Sequence, residues 1–79
     1  MNSKERRKYI EELLKKSGMP QKGHMLAEEL GVTRQIIVKD IAILRAEGKK
    51  IIATPEGYLM PNEEKRLVKK IMAFSNFLL

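Results

Sequence analysis

The sequence predicts a mainly α-helical domain with a small β-hairpin, and two observations support this fold class. Residues 24–47 have the pattern of two helices joined by a tight turn at Gly31-Val32. Two short β-type runs then flank a Pro-Glu-Gly turn, as expected of a hairpin. Together with an amphipathic stretch at each end of the chain, these patterns predict three core helices, a hairpin and a C-terminal helix.

The turn between the two central helices requires glycine at position 31. The residue after a helix end often has a positive φ, and glycine alone reaches that region without a Cβ clash. Thr33 is expected to cap the next helix, because its hydroxyl accepts a hydrogen bond from a free backbone N–H of the first turn. The two helices are predicted over roughly Gly23–Leu30 and 33–47. Two helices joined in this way form a helix-turn-helix, whose second helix enters the DNA major groove.

The predicted second helix has an inward and an outward face. With about 100° between consecutive residues, the inward stripe is centred on Ile37 and includes Thr33, Asp40, Ile41 and Leu44. The outward face carries polar and small side chains, with Arg34, Val38 and Arg45 flanking Gln35, Lys39, Ala42 and Ala46. Glutamine pairs with adenine, arginine or lysine with guanine, and a valine can touch a thymine methyl. An ordinary solvated helix face is the common alternative, but it does not explain the glycine turn and the cap.

The composition indicates a small basic globular domain. The 79 residues suffice for one domain, which would fold alone only marginally. Lys and Arg number 16 against 10 acidic residues, and the net charge of +6 favours a polyanionic partner such as nucleic acid over a partnerless basic surface. The absence of Cys excludes disulfides and thiolate metal sites. Neither a signal peptide nor a membrane span of about 20 apolar residues is evident, which predicts a cytoplasmic protein.

The N-terminal segment predicts a first helix. Asn2 or Ser3 is expected to cap it, and it should end near Lys16 because a Ser-Gly pair follows. The basic run 6–8 has two interpretations, solvated surface or phosphate contact, of which solvated surface is favoured. Met19 is expected to fill the core beneath this helix.

The hairpin predicted over residues 49–60 lies directly behind the helix-turn-helix, and that order defines a winged helix. Its strands are predicted at 51–54 and 58–60. The hairpin covers the core if Ile52 and Leu59 turn inward, while its other face stays free because strand faces alternate. The side chains placed to meet the DNA backbone or minor groove are Lys49, Lys50 and Thr54.

Residues 62–79 predict a final helix, which we separate from a DNA-binding domain over 1–61. Asn62 can cap this helix, and its stripe of apolar residues is too broad to stay exposed. It would pack on its own domain, pair with a second copy or begin a further domain. A homodimer is favoured, because small DNA-binding domains commonly read two half-sites.

The residues from about Tyr9 to Leu59 resemble a bacterial winged helix-turn-helix family. The family includes the DNA-binding domains of the biotin repressor and of niacin-responsive repressors, and the run 34–46 is most similar to the latter. The matching segments are LAEELGVTRQ at 26–35, VKDIAILRAEG at 38–48, and IATP at 52–55 with Gly57-Tyr58. The resemblance implies a sequence-specific DNA-binding transcription regulator, with repression favoured. The residues that it implies as base contacts are Arg34, Gln35, Val38 and Lys39, and as backbone contacts Thr33, Arg45 and Lys50.

The resemblance does not extend to ligand sensing. Niacin-responsive repressors continue into a larger histidine-bearing domain that binds metal and ligand, whereas this sequence stops at Leu79 and has no histidine after His24. We therefore predict neither a metal site nor a cofactor, although a cofactor at a subunit interface is compatible with the sequence. Residues 62–79 could descend from the start of that domain, in which case a β-strand is favoured over a helix. A frameshifted gene or a trimmed chain would leave the same sequence.

Two other classes of function compete with DNA-binding regulation. A winged helix can instead dock a protein or RNA through its basic face and apolar tail, and a truncated fragment would have no function. An enzyme is disfavoured, because the sequence has no Gly-rich phosphate loop and no Ser/His/Asp arrangement. The neighbours Glu28 and Glu29 diverge by about 100° on a helix, so they do not form a catalytic pair.

Overall fold

A computed structural model of the protein describes residues 1–61, and it has the predicted winged-helix architecture. The elements are α1 (Ser3–Ser17), α2 (Gly23–Leu30), α3 (Arg34–Ala46), β1 (Ile52–Thr54) and β2 (Gly57–Leu59). The predicted fold class is therefore confirmed. The helix or strand expected within residues 62–79 lies outside the described residues.

Helix α1 begins with a capping box. The Asn2 side-chain oxygen accepts a hydrogen bond from the Glu5 backbone N–H at 2.8 Å, and the Glu5 carboxylate accepts one from the Asn2 N–H. The helix ends at Ser17 and is followed by the C-cap residue Gly18, whose φ is 63°. Lys15 and Lys16 occupy the last turn, where the negative end of the helix dipole favours cations. The predicted bounds of this helix are confirmed to within one residue.

The turn between α2 and α3 has the predicted geometry. Gly31 has a φ of 67°, and its backbone N–H points back to the carbonyl oxygens of Ala27 and Glu28. Thr33 is the N-cap of α3, where its hydroxyl accepts a hydrogen bond from the Ile36 backbone N–H at 3.3 Å. Since the turn and the cap both depend on local sequence, α3 leaves α2 in a defined direction.

The hydrophobic core lies between the three helices and the base of the hairpin. Burial of Ile37, Asp40, Ile41 and Leu44 confirms the predicted inward stripe of α3 except at Thr33, which precedes the helix as its N-cap and is exposed. Ala27 is also buried, and its small side chain lets α2 and α3 pack closely. The buried apolar residues are Ile10, Leu14, Leu26, Ala27, Ile37, Ile41, Leu44, Ile51 and Met60.

The hairpin turns a different pair of side chains inward than expected. Ile52 lies opposite Leu59 in the antiparallel ladder, and the side chain of Ile52 is 47% exposed. The residues that reach the core are Ile51 and Met60, at the base of the hairpin. Because neighbouring side chains of a strand point to opposite faces, a shift of one residue exchanges the inward and outward sets. The prediction that Ile52 turns inward is therefore wrong.

The segment before α2 pairs with the hairpin instead of filling the core. The Gln21 N–H donates to the Tyr58 carbonyl at 2.7 Å, and the Tyr58 N–H donates to the Gln21 carbonyl at 2.8 Å. This pairing holds the backbone at the edge of β2, while the side chain of Met19 is 67% exposed. Met19 does not plug the core, so that prediction is also wrong.

Candidate nucleic-acid interface

The exposed face of α3 carries the residues predicted to read bases. Packing of the apolar stripe against the core leaves Arg34, Gln35, Val38 and Lys39 exposed on the other side of the helix. Val38 is 46% exposed, which is a large fraction for a β-branched apolar side chain in a small domain. This face therefore combines an amide, two cations and an apolar contact surface within two turns of helix.

A shallow hollow lies on this face at the start of α3. Arg34, Gln35 and Val38 line it, and its volume is about 300 Å³. A bidentate donor beside an apolar side chain suits the major-groove edge of a base pair, where acceptors lie next to the thymine methyl. The geometry is thus compatible with base contacts from these three residues.

A second cleft separates the hairpin from the starts of α2 and α3. It has a volume of about 340 Å³, and Lys22, His24 and Arg34 bring basic side chains to it. Lys22 is the N-cap of α2, and its side chain does not cap the free N–H groups of the first turn. Thr54 and Tyr58 form part of the hairpin side. Basic side chains and free amides at a helix start suit a phosphate group.

Close backbone packing fixes the hairpin against this cleft. Gly57 has a φ of 137°, and a Cβ at this position would lie 2.5 Å from the carbonyl carbon of Gln21. Only glycine therefore allows β2 to approach the segment that precedes α2. The Tyr58 ring also packs against the start of α2, 3.4 Å from where a Gly23 side chain would begin.

Some of the residues predicted to contact the DNA backbone make contacts within the domain, whereas others are exposed. Arg45 donates from Nε to the Ile51 carbonyl at 3.0 Å, and thereby links the end of α3 to β1. Lys49 turns toward α1, where its ammonium lies 3.2 Å from the Glu11 carboxylate. The Thr54 hydroxyl donates to the Gly57 carbonyl at 2.8 Å and closes the hairpin turn. Thr33 and Lys50 are exposed.

The sequence pattern of the HTH domain family matches residues 6–59. The chain therefore belongs to the HTH domain family. The match spans α1 to β2, so the helix-turn-helix and the hairpin both lie inside the HTH domain.

Two curated proteins are similar to this HTH domain. The chain is 54% identical over 56 residues to the probable transcription repressor NiaR of Thermotoga maritima, and the match covers 71% of the chain. It is 48% identical over 46 residues to the transcription repressor NadR of Bacillus subtilis, with 58% of the chain covered. The matched segments cover only 32% and 26% of the lengths of these two relatives.

A buried ion pair joins α1 to α3. Asp40 of α3 is 1% exposed. The guanidinium of Arg6 in α1 donates hydrogen bonds to both of its carboxylate oxygens, from Nε to Oδ2 and from Nη2 to Oδ1 at 3.1 Å. Arg7 approaches the same carboxylate at 3.6 Å. The hydrogen bond to Asp40 raises the pKa of Arg6 above its ordinary value. The expectation that this basic run is solvated surface is wrong for Arg6 and Arg7.

Sequence reasoning missed two groups of residues in this HTH domain. It placed Asp40 inward without a partner, because the arginines lie on another helix. It indicated that the free N–H groups at the start of α2 could hold a phosphate, but it did not name Lys22 and His24, which line the cleft beside the hairpin, as DNA contacts. The available signal was their position next to Gly23, at the start of a helix.

No helix among residues 1–61 is both long and apolar enough to cross a membrane. In the same part of the chain, no group of three or more His, Asp or Glu side chains is arranged to hold a metal ion.

Proposed function

We propose that the chain is the DNA-binding domain of a transcription repressor, or a small repressor in its own right. The observation that carries this proposal is the exposed face of α3 in a chain that matches the HTH domain family over residues 6–59. In this function α3 lies in the major groove, and the hairpin and the start of α2 lie along the phosphate backbone. Similarity to two transcription repressors supports repression over activation.

The exposed residues divide into base readers and backbone contacts. Arg34, Gln35, Val38 and Lys39 read base edges, because their side chains project from the first two turns of α3. Lys50 and the cleft beside α2 contact phosphates, which position the domain without carrying sequence information. The Thr54 hydroxyl and the Arg45 Nε already hold the hairpin, so their contribution is to keep it in place for these contacts.

We also propose that the repressor acts as a cytoplasmic homodimer. A domain of this size reaches only one half-site, and two copies related by a two-fold axis read both halves of an inverted repeat. The net charge of +6 per chain supports binding to a polyanion over this enlarged surface.

Selection from a random duplex library, with the full 79-residue chain, tests the proposed function. We expect enrichment of an inverted repeat whose half-sites lie about one helical turn apart. A single short half-site would support DNA binding but contradict the homodimer. No enrichment at all would contradict the proposal and favour a protein or RNA partner.

Two substitutions then test the division between base readers and backbone contacts. Gln35→Ala should relax the preference at one base position, by about 1–3 kcal/mol. Lys50→Ala should weaken binding to all duplexes alike, because it removes a phosphate contact. The matched control is Lys16→Ala at the far end of α1, which removes the same charge from a different surface. Equal effects of Gln35→Ala on all sequences would show that Gln35 does not read a base.

A further inference from the structure

The proposed base contacts do not explain the buried ion pair between Arg6 of α1 and Asp40 of α3. Asp40 is the one buried charged side chain among residues 1–61. Both of its carboxylate oxygens accept hydrogen bonds from the planar guanidinium of Arg6. Arg6 and Asp40 are 34 residues apart in the sequence, so the pair joins two separate helices.

Stability alone does not account for a carboxylate at this position. Asp40 lies in the same stripe as Ile37, Ile41 and Leu44, where an apolar side chain would continue the core. Replacement of a buried ion pair by apolar residues of similar volume is often neutral or stabilising, because the desolvation of two charges offsets their attraction. A role in conformational specificity is therefore the one to test for this pair.

A bidentate pair defines direction, which apolar contacts do not. The two N–H groups of a guanidinium edge meet the two carboxylate oxygens in one plane, so both helices are held in rotation as well as in distance. Apolar contacts are not directional, and a repacked apolar core loses its unique arrangement before it loses its stability. The Arg6–Asp40 pair thus restricts the rotation of α3 about its own axis.

This restriction acts on the base-reading face. With about 100° per residue, Asp40 lies roughly 140° from Gln35 and 160° from Val38 around the helix axis. A helix with its side chains has a radius of about 5–6 Å, so a rotation of about 10° moves its outer atoms by about 1 Å. A displacement of about 1 Å is enough to break a hydrogen bond of about 2.9 Å. Asp40 and the exposed residues Gln35 and Val38 therefore lie on nearly opposite sides of the same helix, so a rotation of the helix moves them together.

We infer that Arg6 and Asp40 are positioning residues that set the sequence specificity of α3 without touching DNA. The inference rests on the proposed function, because it assumes that the exposed face of α3 reads bases. Loss of the pair frees the rotation of α3, so contacts to the correct bases weaken. Binding to non-cognate DNA depends on phosphate contacts and net charge, and it stays the same.

The decisive variant replaces the pair by apolar residues, Arg6→Met with Asp40→Leu. It removes one positive and one negative charge, so the formal net charge stays at +6, and Arg7 loses the same carboxylate partner. Arg6→Lys is the second variant, because it keeps the charge and most of the stem but loses the bidentate geometry. Tyr9→Phe is the control: it removes the side-chain hydrogen bond from α1 to Glu29 of α2 and leaves α3 untouched.

The measurement is the ratio of the dissociation constants of the full chain for a non-cognate duplex and for the duplex selected from the library. Circular dichroism establishes that each protein is folded at the assay temperature. We expect the ratio to fall at least about tenfold in the double variant and severalfold in Arg6→Lys, with non-cognate binding within about threefold of the parent. Tyr9→Phe should leave the ratio unchanged.

The outcomes separate this inference from the proposed function. An unchanged ratio in a folded double variant, or in Arg6→Lys if the double variant does not fold, would overturn the positioning role. An equal loss of cognate and non-cognate binding would overturn it too, because that result indicates damage to phosphate contacts. A parent protein without any sequence preference would instead contradict the proposed function.

Discussion

At the scale of single residues, two glycines of this domain are required for different physical reasons. Gly31 has a φ of 67°, and a Cβ at this position would meet open space. Gly57 has a φ of 137°, and a Cβ there would lie 2.5 Å from the backbone of Gln21. Gly31 provides the positive φ that the turn requires, whereas Gly57 allows two segments that are distant in the sequence to pack closely.

The two glycines should therefore respond differently to the same substitution. Gly31→Ala should lower the free energy of unfolding by about 1–2 kcal/mol, the cost of a left-handed conformation for a residue with a Cβ. Gly57→Ala should cost more than that, because the backbone of β2 must also move away from Gln21. Urea denaturation of both variants measures the difference. Equal losses would mean that the hairpin moves away from Gln21 without cost.

The same contrast shows how far sequence alone predicts individual residues. Gly31 and Thr33 were predictable because their roles depend on neighbours within four positions of the chain. The sequence predicts a turn at Gly57, but its close approach to Gln21 has no local signature. The partner of Asp40 was missed for the same reason, since Arg6 lies on another helix.

At the scale of elements, α3 packs on the core with one face and exposes the other, which we propose reads bases. Ile37 and Leu44 are almost fully buried, whereas Val38 is exposed at the edge of the outward face. The helix therefore permits its two roles to be tested separately by substitution. The buried face of α3 is predictable from sequence because its apolar residues recur with the helical period of 3.6. The strands of the hairpin have only three residues each, which is too few to show which side chains turn inward.

Truncation of the buried face should unfold the domain, whereas truncation of the exposed face should not. Ile37→Ala or Leu44→Ala should cost about 2–5 kcal/mol by opening a cavity, a large part of the stability of so small a domain. Val38→Ala should change the free energy of unfolding by about 0.5 kcal/mol or less, because the side chain is largely solvated. Thermal denaturation followed by circular dichroism compares the three variants. A parent-like melting temperature of Ile37→Ala would contradict the assigned helix face.

The contact between α1 and the segment after α3 should be sensitive to acid. Glu11 lies 3.0 Å from the Lys15 ammonium and 3.2 Å from that of Lys49. The hydrogen bond from Lys15, and then that from Lys49, lowers the pKa of Glu11 from its usual 4.5. Because the folded-state pKa is below the unfolded value, the stabilisation is present above the unfolded pKa and is lost as the pH falls through the folded pKa.

Glu11→Gln should therefore cost stability at neutral pH and nothing in strong acid. We expect a loss of about 0.5–1 kcal/mol at pH 7, since both lysines are partly exposed and the pairs are screened. Urea denaturation at a series of pH values gives the difference from the parent. Glu12→Gln, at an exposed neighbouring position, is the control and should leave stability nearly unchanged. A constant difference at all pH values would show that the loss is not electrostatic.

At the scale of the whole molecule, the excess of basic residues should govern affinity for DNA. About four to six phosphate contacts per subunit would make log affinity fall with log salt concentration at a slope near −4 to −5. Fluorescence anisotropy with the selected duplex at several salt concentrations measures this slope, and Lys50→Ala should reduce its magnitude by about one. An affinity independent of salt would contradict docking along the backbone.

The pairing of Gln21 with Tyr58 also has a consequence for the order in which the domain opens and closes. Most of the buried apolar side chains of the core belong to the three helices, whereas Gln21 is joined to Tyr58 through two backbone hydrogen bonds. The hairpin should therefore dock last during folding and detach first from the native state. In hydrogen–deuterium exchange, the amides of Gln21 and Tyr58 should exchange faster than those at the centre of α3, and at similar rates to each other.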